Sequence, residues 1–231
     1  LLQEDGSVKF RFWAPALRRV DLLIEGREPI EMQRRDKGWF ETTTRCEAGA
    51  AYRYKVDEEL EVPDPAARAM RGDVFGHSLV YDPGAYTWRN DDWKGRPWQE
   101  AVIYELHVGA FGGFSGVMEA LPRLARLGIT AVELMPINAF PGERNWGYDG
   151  VLPYAPSSSY GSPDELKALI DRAHSLGLMM FLDVVYNHFG PEGNFLGVYA
   201  PPFFRRDLHN AWGRAIDFRR AEVRRFYTEN A

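Results

Sequence analysis

FLDVVYNHFGPEGN, residues 181–194, is the stretch whose reading decides the fold. It opens as an apolar strand, with Phe181, Leu182, Val184 and Val185, yet it carries Asp183 inside that strand and Asn187 and His188 at its exit. A strand apolar on both sides is covered on both faces, as in a parallel sheet flanked by helices. In such architectures functional groups gather where strands run out at their C-terminal ends.

Working outward, the flanking sequence keeps the same rhythm. SPDELKALIDRAHSLG (162–177) reads as a helix: Ser162 is a plausible N-cap, Pro163 suits the first position, and Glu165 completes a capping box. Leu166, Leu169, Ile170 and Ala173 form its buried stripe, and Gly177 is the expected stop. Upstream lie the strands VIYELHV (102–108) and TAVELMPI (130–137), joined by a helix over 116–127 with Val117, Leu121, Leu124 and Leu127 near one face and Gly128 at its end. LMMFLDVV (178–185) is the third strand, and 219–230 begins a further helix with Val223, Phe226 and Tyr227 on one side. From residue 99 onward the chain therefore alternates strand and helix, the signature of a parallel sheet.

Residues 1–80 follow a different period. Val8, Phe10 and Phe12 alternate with polar neighbours, as do Val20, Leu22 and Ile24, and Tyr52, Tyr54 and Val56. Turn pairs at Asp5-Gly6, Glu25-Gly26 and Lys37-Gly38 separate such runs, which predicts an antiparallel β-sandwich. YDPGAYTWRNDDWKGRPW (81–98) is a connector whose tryptophans are expected to pack onto both neighbours.

Composition narrows the function classes. With 45% hydrophobic and 14% aromatic residues the chain has the material for an ordered core. A net charge of −5 with interspersed signs argues against a nucleic-acid footprint, which needs a clustered basic face. One cysteine, Cys46, excludes an internal disulfide and fits a reducing compartment. No run approaches the ~18 apolar residues of a membrane span. The N-terminal stretch LLQEDGSVKF shows no signal peptide and begins with Leu, so residues upstream and a cytoplasmic location are expected.

The strand ends carry the candidate chemistry. The first strand ends at His107. The connection from Met135 to Tyr160 holds Asn145, Trp146, Tyr148, Asp149 and Tyr154. Aromatic rings beside carboxylate and amide groups suit a sugar, whose C–H faces lie on rings while hydroxyls meet polar groups; equally, the rings could pack a long loop. Asp183 reads as a structural organiser whose carboxylate needs partners. Asn187 could brace the loop or, with its oxygen, a cation. His188 could cap the surface, ligate a metal or bind hydroxyls, but no second His or Cys stands at zinc spacing. Gly109, Gly112, Gly113 and Gly116 fit neither standard phosphate fingerprint, and no GxSxG elbow is present.

Together YELHVGAF (104–111), GITAVELMPI (128–137), NWGYDGV (145–151), SYGSPDELKALIDRAHSLGL (159–178) and FLDVVYNHFGPEGN resemble the α-amylase superfamily, glycoside hydrolase family 13. VKFRFWAP and VPDPAAR extend the resemblance upstream, and NWGYDGV with NHFGPEGN points to its trehalose-releasing branch. The resemblance implies an immunoglobulin-like β-sandwich over 1–80, a connector over 81–98, and about three βα units of a TIM (β/α)8 barrel over 99–231. It implies retaining hydrolysis of the α-1,4 bond next to a terminal trehalose, on a malto-oligosaccharide or α-glucan substrate, with no cofactor. Tyr148 then matches the tyrosine under the sugar, His188 a hydroxyl-binding histidine, Asp183 the site organiser and Asn187 the loop brace; Trp146 and Asp149 join the substrate-binding set. The nucleophile, acid/base and stabiliser are expected downstream of Ala231, so the segment alone is expected to be inactive. Branching and debranching enzymes, or a noncatalytic glucan-binding protein, are the competing readings. AFGGFSG, shorter than the family pattern, is the visible departure.

Overall fold

The computed structural model describes residues 2–3, 5–57 and 60–231. The N-terminal part is built from two antiparallel sheets. In the first, Ser7–Trp13 pairs with Trp39–Arg45, placing Val8 opposite Thr44 and Phe12 opposite Phe40, and Gln33–Arg34 adds the far edge. The second runs in the order Ile30–Glu31, Val20–Ile24, Ala51–Val56, His77–Leu79, Met70–Arg71, with Leu60–Val62 also paired to Ala51–Val56. The period of two throws Val8, Phe10 and Phe12 onto one face, and that face meets the second sheet. Phe10 sets its edge on Tyr52 with ring centroids 4.9 Å apart, and Phe12 lies 4.3 Å from Tyr54. Val20, Leu22, Tyr54 and Val56 are fully buried.

Beyond residue 99 lie three parallel strands, Ile103–Leu106, Ala131–Leu134 and Met179–Leu182, side by side in chain order. Each is shorter than its apolar run. The chain bends away after Leu182, although Asp183 N–H still donates to Leu134 O at 2.9 Å. The connecting helices, Phe114–Arg126 and Pro163–Ser175, pack Val117, Leu121, Leu124, Leu169 and Ala173 against Leu106, Val132 and Leu134. The capping box is present: Ser162 Oγ accepts from Glu165 N–H, and Glu165 Oε2 accepts from Ser162 N–H at 2.7 Å.

The glycines after the first strand serve packing. The helix starts at Phe114, ahead of the expected position, because Gly113 adopts φ 100° beneath the Tyr160 carbonyl, to which Phe114 N–H donates. A Cβ on Gly113 would lie 2.8 Å from Tyr160 O, and one on Gly116 only 1.7 Å from Phe111 O.

The connector is strapped to the second helix. Buried Asp171 accepts from Tyr86 OH, from Arg89 N–H, and from the backbone and side chain of Asn90. Burial alone would raise its pKa, but the bonds from Asn90, Arg89 and Tyr86 outweigh burial and hold it below the usual carboxylate value. Trp93 stacks on His174 of the same helix, and Trp98 lies near Phe181 of the third parallel strand.

Both long connections carry structure that the sequence pattern does not announce. Asn138–Ala139 pairs with Leu152–Pro156 between the second strand and its helix. After the third strand come the short helix Leu196–Tyr199, the hairpin Phe204–Asn210 with Gly213–Ile216, and the helix Ala221–Asn230. Phe189, Leu196, Tyr199, Phe203, Ile216, Val223 and Tyr227 from this stretch share one buried cluster with the N-terminal sheets. Among the described residues no helix is long and apolar enough to cross a membrane.

Candidate functional site

The site is assembled where the parallel strands end, and three loops are tied together there. His107, just past the first strand, accepts Ala110 N–H at Nδ1. Its proton therefore sits on Nε2, which donates to Asn145 O of the second loop at 2.9 Å. Tyr160 stands edge-on to the His107 ring, and burial pushes its phenol up to about 12, so it stays neutral. Asn145 Oδ1 accepts Gly147 N–H and closes the turn that presents Trp146 and Tyr148. The second loop then meets the third: His188 Nε2 donates to Tyr148 O at 3.0 Å, and Gly190 N–H donates to Gly150 O at 3.0 Å.

Gly190 makes that meeting possible. A Cβ there would lie 2.2 Å from Asp149 O and 2.7 Å from its carbonyl carbon. No side chain fits between two backbones this close.

His188 is 6% exposed, and its Nδ1 faces the Asn187 side-chain amide at 3.1 Å. Trp212 covers the ring, stacked at 4.5 Å and 9°. It sits at the tip of the Phe204–Ile216 hairpin, held by its own N–H to Asn210 Oδ1 and by Asn210 Nδ2 to Asn187 O. Trp212 itself remains 47% exposed. A cavity of about 240 Å³ beside it is lined by His188, Gly190, Asn194, Phe204, Trp212 and Arg214.

Not every expected residue behaves as its type suggested. Tyr148 and Trp146 both project from the rim, Trp146 being 84% exposed, and Tyr148 reaches His188 through its backbone carbonyl, not its ring. Asp149 is half-buried and contributes its carbonyl to the Gly190 contact. Asn187 is exposed and braces His188 and Asn210. Asp183 corrects an expectation. It lies one residue past the strand, half-buried, and among the described residues no hydrogen bond or ion pair reaches its carboxylate, so solvent can serve it where a strand interior could not. Trp212 escaped the sequence reading. The available signal was Asn210-Ala211-Trp212-Gly213, a two-residue hairpin loop inside a segment otherwise read as connection.

Among the described residues no group of three or more His, Cys, Asp or Glu side chains is gathered as a metal ion would need. Asp217 is committed to Arg219, whose guanidinium holds its carboxyl below the usual value, and is therefore not a free acid. A larger cavity, about 610 Å³, lies between the N-terminal sheets and the helix Ala221–Asn230; of the strand-end residues named above, Tyr154 alone lines it, while His107, Tyr148, Asp183 and His188 do not.

What the arrangement offers is a set of exposed indole and phenol rings on the loops that also carry a buried histidine, groups of the kind suited to a polyhydroxylated ring. Comparison with known proteins gives the family. The family model described as alpha amylase, catalytic domain, matches residues 77–206, more than half of the chain. Malto-oligosyltrehalose trehalohydrolase from Deinococcus radiodurans is 43% identical over 97% of this chain, and its counterpart from Saccharolobus solfataricus is 45% identical over 99%. A crystal structure from Salmonella typhimurium, described as a candidate alpha amylase, superposes with a TM-score of 0.95 at 48% identity, over 97% of this chain and 39% of that one. This chain spans 38% and 42% of the lengths of the two trehalohydrolases. On the strength of the matched catalytic-domain model and of the strand-end site it overlies, the chain belongs to the α-amylase family.

Proposed function

We propose that this chain is the sugar-gripping portion of a glycoside hydrolase that releases trehalose from malto-oligosyltrehalose by cleaving the adjoining α-1,4 bond. The observation that carries the reading is the tied rim: His107 to Asn145, Tyr148 to His188, and Trp212 stacked over His188. It is supported by 43% and 45% identity to trehalohydrolases across nearly the whole chain. Residues 1–80 serve as an immunoglobulin-like sandwich, 81–98 as a strap, and 99–231 as the first three βα units of a (β/α)8 barrel. Tyr148 lies under the sugar, His188 binds a hydroxyl by exchanging a present partner, Asp183 organises the floor and Asn187 braces it. Trp146, Asp149 and Trp212 extend the grip to neighbouring glucose units.

A retaining glycosidase needs two carboxyl groups ~5–5.5 Å apart. Asp217 is ion-paired, and Glu133 lies within a parallel strand. The resemblance to the family, of whose trehalohydrolases this chain spans 38% and 42%, instead assigns the nucleophile, acid/base and stabiliser to residues outside these 231. The test is incubation of the full-length protein with maltotriosyltrehalose. Free trehalose and maltotriose are expected, and the 231-residue chain alone should release neither. New α-1,6 linkages would assign branching activity, and saturable binding without turnover would assign a noncatalytic glucan-binding role; either result rejects the proposal.

A further inference from the structure

The turn RGDVFG, residues 71–76, belongs to the N-terminal part, yet its contacts run to both loops of the rim. Asp73 uses both carboxylate oxygens. Oδ1 accepts Phe75 N–H and fixes the turn, while Oδ2 accepts Gly142 N–H from the loop that leads to Tyr148. Ser158, at the far end of that loop, donates its hydroxyl to Gly72 O at 2.7 Å. Val74 is fully buried in a small cluster with Ala139, Val151, Leu152 and Ala155, the ribbon at the base of the same loop. On its other side the turn meets the loop that follows His188. A Cβ on Gly193 would strike Val74 Cγ2 at 2.4 Å, and Phe75 sets its edge against Phe195 at 6.4 Å. The turn is itself tight: a Cβ on Gly76 would lie 2.0 Å from Arg71 O, and Gly76 N–H donates to Asp73 O at 2.9 Å.

We propose that this turn is a positioning element of the sugar-binding rim, with Asp73 and Val74 holding the loop that carries Tyr148 against the loop that carries His188. The proposal rests on the sugar-binding reading given above. Neither residue need touch substrate. Loosening the turn lowers the fraction of molecules whose rim is assembled before binding, and apparent affinity falls by that fraction while the assembled site is unchanged. The expected signature is thus a rise in KM without a matching fall in kcat.

The test uses the full-length protein with Asp73→Ala, and Asp73→Asn, which keeps one of the two acceptors. Asp73→Ala is expected to raise KM for maltotriosyltrehalose roughly tenfold with kcat within about twofold. Amide exchange at Gly147 and Gly190 should quicken by at least about tenfold while Ala131–Leu134 is unaffected. Asp73→Asn should fall between, and it carries the test if the alanine variant does not fold. A lowered melting temperature with KM and those amides unchanged would reduce the turn to a structural contact and overturn the proposal. If the unmutated protein cleaves no trehalosyl substrate, the functional reading fails, but the exchange measurement needs no substrate and still decides the role of Asp73.

Discussion

Gly190→Ala adds one methyl group where the structure has no room for it. The new Cβ would stand 2.2 Å from Asp149 O, 2.7 Å from Asp149 C and 3.0 Å from its Cα, all of them backbone atoms that cannot rotate aside. To regain an ordinary van der Waals separation, the Tyr148–Gly150 backbone and the Gly190 segment must part by roughly 1 Å. That movement stretches the Gly190 N–H to Gly150 O bond and the His188 Nε2 to Tyr148 O bond, both now 3.0 Å. Gly190 does not occupy the left-handed region, so alanine suffers no backbone penalty there and the effect isolates the close approach. Overpacking of this kind costs about 1–3 kcal/mol, and a displacement of ~1 Å in a positioning group costs on the order of 100-fold in rate. The assay is trehalose release from maltotriosyltrehalose by the full-length protein, alongside its melting temperature. A kcat/KM within about twofold of the parent would refute the argument that this backbone contact sets the geometry of the site.

Three further outcomes follow from the same geometry. Tyr148→Ala removes a ring that is 41% exposed and makes only a backbone contact to His188, so melting should move by no more than a degree or two, whereas lost ring–sugar contact of ~0.5–1.5 kcal/mol should raise KM roughly 2–10-fold; an unchanged KM would place the phenol away from substrate. Trp212→Ala uncovers His188 and should remove most of the tryptophan fluorescence change on titration with maltotriosyltrehalose; a titration identical to the parent's would show that the indole does not meet the sugar. Asp64 is buried beneath Tyr52 OH at 2.8 Å and Tyr54 OH at 3.4 Å, and burial raises its pKa against the hydrogen bonds it accepts. The folded chain therefore holds that proton more tightly than the unfolded one, and stability should fall as pH climbs from the ordinary carboxylate range near ~4 through the raised value. Asp64→Asn should flatten that part of the melting-versus-pH curve, and Asp64→Ala, stranding two buried hydroxyls, should cost about 1–3 kcal/mol at any pH in calorimetry.

Much of this fold is legible locally, and the misses have one cause. The second helix announces itself because Ser162, Pro163, Glu165 and Gly177 each satisfy a terminal backbone requirement set by neighbours in sequence. The N-terminal strands show because Val8, Phe10 and Phe12 are sorted by the period of a half-buried strand. The hairpin that carries Trp212 shows no such sorting: Arg206, Asp207, Leu208, His209 and Asn210 are all exposed, so no apolar face marks a strand. It is ordered by distant contacts, through Phe204 against Phe189 and Asn210 against Asn187, which one-dimensional pattern cannot express. Asp183 reads as a strand residue because the apolar run continues to Val185, but where pairing stops is decided by the neighbouring strand, which ends at Leu134.

The residues that touch the sugar in this reading are held by residues that have no chemistry to perform. Hydrogen bonds such as His188 to Tyr148 contribute about 0.5–1.5 kcal/mol each, while ordering the connection from Phe189 to Phe218 costs about 1–2 kcal/mol for every residue fixed. The rim bonds are far too few for that task. The same stretch also buries Phe189, Leu196, Tyr199, Phe203 and Ile216 in the cluster that contains Phe10, Phe12 and Tyr54. Phe12 meets Tyr199 at 4.6 Å and Trp13 meets Phe203 at 6.5 Å, so the sheet of the first eighty residues is the surface on which the His188 loop is laid down. The stretch FLDVVYNHFGPEGN ends in hydrogen-bonding groups because its strand reaches the rim of a sheet. Those groups keep their positions because the chain that follows is buried against an N-terminal part that a reader of the motif alone would have set aside.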